Sequence, residues 1–210
     1  MTWLRENRKN LVGVVAIVLI IFLTLHDLVN IGASNHLQKK INYMSAEAFK
    51  SWLDEMKSIK IILEPAKANL DVKEAMNYTF AAQRFANILD WEIEVLPRPA
   101  NFAEHLYLHI AKATYALNKA ISAIATKPPT TLQNFDDDVL EKIGNLTTTI
   151  ENLVGSVGTV GYVGTAGHEF YDVGPVQQLE EKGVLNQVIN YVKQIEATSL
   201  EIWEIYGLYG

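Results

Sequence analysis

The chain has 210 residues, a formal net charge of −6 and no cysteine. The acidic balance argues against nucleic-acid binding, and the lack of cysteine excludes a disulfide framework and a lipid-modified cysteine anchor. The length suits one N-terminal segment followed by a single globular domain.

The first element is an uncharged run of fifteen residues, 11–25, with the sequence LVGVVAIVLIIFLTL. A helix of this length spans only about 22 Å, but extension to Ala33 gives about 34 Å, enough to cross a hydrocarbon core of about 30 Å. Arg5, Arg8 and Lys9 precede the run, which favours a cytoplasmic N-terminus. We therefore predict a cytoplasmic stub at 1–10, a transmembrane anchor at 11–33 and a domain outside the cytoplasm at 34–210.

A cleaved secretory signal is the alternative for this segment. A basic flank, an apolar core and the small residues Gly32, Ala33 and Ser34 all fit such a signal. Cleavage after Ala33 would place Ile31 where a small residue is preferred, and the spacer after the core would be long. We therefore favour an uncleaved anchor.

Apolar residues beyond the anchor recur at the spacing of amphipathic helices. The first helix has the stripe Phe49, Trp52, Leu53, Met56, Ile59 and Leu63. Ser45 is a candidate N-cap, but Leu37, Ile41 and Met44 also fit an earlier start, in which the helix runs on almost directly from the anchor. The second opens at Asp71, and we assign it the stripe Tyr78, Ala81, Phe85, Ile88 and Leu89. Because Met76 and Phe80 lie off this stripe, we expect a central position for the second helix.

Three later helices follow the same rule. The third has the stripe Leu106, Ile110, Ala113, Leu117, Ala120 and Ile124. The fourth begins after Asp136–Asp138 and has the stripe Val139, Ile143, Leu146, Ile150 and Leu153. A short acidic helix is predicted after Pro175. The last helix has the most regular stripe, Leu185, Val188, Val192, Ile195, Ser199, Ile202 and Tyr206.

A glycine-rich segment separates the fourth helix from the last ones. Between Val154 and Gly167 glycine occupies every third position, a period that fits neither a helix stripe nor a strand face. We predict a loop within the segment 154–174, which is also a candidate contact region for the membrane, another subunit or a second copy. The predicted fold class is all-α: an N-terminal transmembrane helix, then an extracytoplasmic four- to five-helix bundle with a Gly-rich loop.

The best candidates for a chemical site are Glu104, His105 and His109. Histidines four residues apart share a helix face and are able to hold a metal. Lys112 follows on the same side, and no Glu-x-x-His pair of the kind used in bundle metal sites is present. We therefore predict no metal site here, and the sequence offers no catalytic motif and no cofactor-binding motif.

Aromatic residues concentrate at the C-terminus. Trp203, Tyr206 and Tyr209, together with Tyr162 of the glycine-rich segment, are our candidate partner-binding residues, because aromatic side chains are enriched in protein interfaces. The layout resembles that of bacterial sensor ectodomains, in which a transmembrane helix leads into a helical bundle, although no second apolar run follows. The predicted function is that of a single-pass membrane-anchored interaction or accessory subunit of a membrane or cell-surface assembly. The alternative is a ligand- or metal-binding, possibly enzymatic, bundle that uses Glu104, His105 and His109.

Overall fold

The structure is a computed structural model of the whole chain. It describes the backbone of residues 2–64, 72–95, 103–126, 137–158 and 174–207, and the side chains of residues 32–64, 72–90, 106–125, 137–158 and 174–206. Within these ranges all regular structure is helical and no strand is present, as the sequence predicts.

Six helices are described, and the fold is a helical bundle. They are α1 Thr2–Leu63, α2 Val72–Val95, α3 Ala103–Thr126, α4 Asp137–Gly158, α5 Pro175–Glu181 and α6 Leu185–Gly207. The short α5 confirms the helix predicted after Pro175.

The chain divides into two compact units, Met1–Ile41 and Asn42–Gly210. Among the described residues, no helix combines the length and the apolarity that a membrane span requires. The anchor predicted at 11–33 falls mainly on residues whose side chains lie outside the described set, so it stays a prediction. The same holds for the stub predicted at 1–10.

The part of α1 that belongs to the second unit supplies a large share of the core. All six residues of the stripe predicted for the first helix are at most 2% exposed. The rings of Phe49 and Trp52 stack with their centroids 5.9 Å apart. Of the two starts considered for this helix, the N-cap at Ser45 was wrong, because Ser45 is buried inside the continuous helix α1, which agrees with the earlier start.

Helices α3, α4 and α6 confirm their predicted stripes, with one partial exception. Every predicted core position on the three helices is buried apart from Tyr206, which is half-buried against the core. Helix α3 packs against α2 and α6, and α4 also packs against α6. These contacts bury one face of each helix, and burial of that face, more than intrinsic propensity, is what stabilises helices in proteins.

The buried face of α2 differs from the predicted one. Its buried line consists of Val72, Ala75, Thr79, Ala82, Ala86 and Leu89. Phe80 is 50% exposed and Ile88 is 39% exposed, whereas Tyr78 and Phe85 pack at the edge of the core. Leu89 is the one member of the predicted stripe that is fully buried, because the prediction gave most weight to large side chains while α2 buries mainly small ones.

The first part of the glycine-rich segment is helical, which corrects the predicted start of the loop. Helix α4 continues to Gly158, with Val157 fully buried one turn after Leu153. Burial of Val157 extends the apolar stripe, and Gly155 faces open space on the outside. Gly155 and Gly158 each destabilise the helix by about 1 kcal/mol relative to alanine, and this cost does not outweigh the packing of Val157. The remaining glycine triplets lie outside the described residues.

Gly174 is the residue at which the described chain resumes before α5. It is buried and has φ = 78°, a backbone conformation that favours glycine. A Cβ atom at this position would lie 3.3 Å from Oδ1 of Asn42 on α1. The close approach of Gly174 to α1 therefore depends on the fact that glycine has no side chain.

Candidate functional site

Two of the four predicted partner-binding residues lie within the described side chains. Trp203 and Tyr206 are both half-buried on α6 and pack against the hydrophobic core. Tyr162 and Tyr209 lie outside the described residues. Part of the role of Trp203 and Tyr206 is therefore structural.

The exposed side of the Trp203 ring contacts a cation. The ammonium of Lys119 on α3 lies 4.8 Å from the centroid of the Trp203 ring and 4.7 Å from the centroid of the Tyr115 ring. Cation–π contacts at exposed sites contribute about 0.5–1 kcal/mol each. Lys119 therefore joins an aromatic residue of α3 to one of α6 at the surface.

The helical periods of α3 and α6 explain this surface. Because the core stripe of α3 points inward, Leu108, Lys112, Tyr115 and Lys119, at spacings of four, three and four residues, point outward together. On α6, Glu196, Leu200 and Trp203 share one face for the same reason. We call these seven residues the α3–α6 face: Leu108, Lys112, Tyr115, Lys119, Glu196, Leu200 and Trp203.

Three apolar members of the α3–α6 face are exposed to solvent. Tyr115 is 56% exposed, Leu200 is 39% exposed and Leu108 is 37% exposed. Single exposed apolar side chains are ordinary, but a group with an aromatic residue at its centre is typical of an interaction surface. Tyr115 and Lys119 were not among the site residues predicted from the sequence. Both lie off the core stripe of α3, and they are four residues apart.

Helices α3 and α6 pack against each other beneath this face. The contact between Lys119 and Trp203 joins the last third of α3 to the last third of α6. Elsewhere on α6, Lys142, near the start of α4, donates a hydrogen bond to Glu201, near the end of α6. That hydrogen bond raises the pKa of Lys142 above its ordinary value.

Charged residues lie on both helices of the α3–α6 face. The described side chains of α3 include Lys112 and Lys119 and no carboxylate, whereas α6 has Glu196 with the exposed Lys193 one turn before it. Within the described residues, neither Lys112 nor Glu196 forms an ion pair. The face is therefore basic along α3 and carries both signs of charge along α6.

The predicted chemical candidates are only partly described. His109 is half-buried on α3, while the side chains of Glu104 and His105 lie outside the described residues. Among the residues with described side chains, no group of three or more histidine and acidic residues is placed to hold a metal ion. The structure therefore does not test the metal hypothesis for Glu104 and His105.

Polar groups in the core belong to the packing of the bundle. The indole N–H of Trp52 on α1 donates to Oγ1 of Thr114 on α3 at 2.9 Å, and Thr114 donates in turn to the carbonyl of Ile110 at 2.6 Å. On α6, the fully buried hydroxyl of Ser199 has no hydrogen-bond partner among the described residues. The candidate interaction site among the described residues is therefore the α3–α6 face, where exposed apolar side chains lie beside charged ones.

The chain matches no protein family, and it shows no significant similarity to the curated proteins or to the solved structures compared with it. The class that the fold defines is that of an all-α helical bundle.

Proposed function

We propose that this chain is a single-pass membrane-anchored protein whose helical bundle acts as an interaction or accessory subunit of a membrane or cell-surface assembly. In this proposal residues 1–10 are cytoplasmic, residues 11–33 cross the membrane and the bundle lies outside the cytoplasm. The proposed function involves no catalytic residue and no cofactor. Its partners are the membrane and other protein subunits or copies of the chain.

The observation that carries the interaction part is the α3–α6 face. It presents Tyr115, Leu108 and Leu200 to solvent beside a tryptophan, and residues of these kinds supply much of the binding energy in protein interfaces. Lysine and glutamate lie among them, so the face also has the charges that set orientation and partner choice. The membrane part is supported by the uncharged run 11–25 and its basic flank.

The anchor is tested by alkaline carbonate extraction of membranes that contain the full chain. We expect the wild-type chain to stay in the membrane pellet with an intact N-terminus by mass spectrometry. The double variant Val15→Asp/Ile20→Asp should move to the soluble fraction, since a charge at the bilayer centre costs about 2.5–3.5 kcal/mol. The matched variant Val15→Leu/Ile20→Leu should stay in the pellet. Extraction of the wild type, or a mature chain that starts near Ser34, would overturn the anchor.

The interaction part is tested by purification from native membranes in mild detergent. We expect another chain to co-purify with the wild type, to be lost with Tyr115→Ser and to be retained with Phe80→Ser. Phe80 is the matched control because it is similarly exposed and lies on α2, outside the α3–α6 face. Equal retention by both variants would show that this face does not hold the partner.

A further inference from the structure

We draw no further inference here: the strongest candidate, the group of exposed apolar side chains on the α3–α6 face, carries none because nothing among the described residues shows what covers that face.

Discussion

Helices α2 and α3 have the same length and adjoining positions in the bundle, yet they place their large side chains differently. Both helices bury three alanines, but α3 also buries Leu106, Ile110, Leu117, Ile121 and Ile124, whereas on α2 the larger buried apolar residues are Val72 and Leu89 and the large Phe80 is half-exposed. Most of the apolar volume that this pair buries thus comes from α3. Side-chain size therefore does not rank the importance of positions across this pair.

The largest expected effect is at the centre of α3. Leu117→Ala should lower the free energy of unfolding by about 2–5 kcal/mol, since Leu117 is fully buried and the change leaves a cavity. On α2, Phe80→Ala removes a larger side chain but should change stability by less than about 0.5 kcal/mol. Urea unfolding of the full chain in detergent, followed by near-ultraviolet circular dichroism, measures both. A comparable loss in the two variants would remove the contrast between the helices.

On α2, replacement of a small buried residue by a large one should also lower the free energy of unfolding. Ala82→Leu adds volume where α2 has a small buried residue, and overpacking of this kind costs about 1–3 kcal/mol. Ala81→Leu, at the half-buried neighbouring position, is the matched control and should cost less than about 0.5 kcal/mol. The same unfolding measurement applies. If Ala82→Leu were neutral, the contact between α2 and its neighbour would be looser than the burial of Ala82 indicates.

A contrast of similar size is expected between the buried threonines of the two helices. Thr114→Val on α3 leaves the indole N–H of Trp52 without its acceptor and should cost about 1–3 kcal/mol. Thr79 on α2 donates only to the carbonyl of Met76 within its own helix, so Thr79→Val should change stability by less than about 0.5 kcal/mol. Thermal unfolding of both variants beside the wild type decides the point, and equal midpoints would mean that the Trp52–Thr114 bond contributes nothing net.

The helical fold and most of its core could be predicted because α1, α3, α4 and α6 repeat apolar residues at three- and four-residue steps. The face of α2 could not, because alanine and threonine give a weak apolar signal and their burial depends on what packs against them. The end of α4 was missed for a related reason: the glycine period suggested a loop, while Val157 continued the core stripe.

Less of the candidate site could be predicted than of the fold. Trp203 was identified as an aromatic residue outside the core seam, but its contact with Lys119 depends on which helix lies beside α6 and in which direction it runs. No spacing within either helix contains that information. Tyr115 gains its significance only when α6 is placed beside α3, because Lys119 then lies over both its ring and that of Trp203.

The surroundings of the individual glycines differ, and so does the ease with which each could be replaced by another residue during evolution. At Gly155 a side chain would meet open space, so descendants of this chain are free to replace that glycine, and alanine there would favour the helix. At Gly183 the space is open but φ is positive, which admits asparagine more readily than other residues. At Gly174 both the positive φ and the nearby Asn42 side chain oppose replacement. Purifying selection should therefore retain glycine at 174 longest, although the repeated glycines further upstream are the ones that attract notice in the sequence.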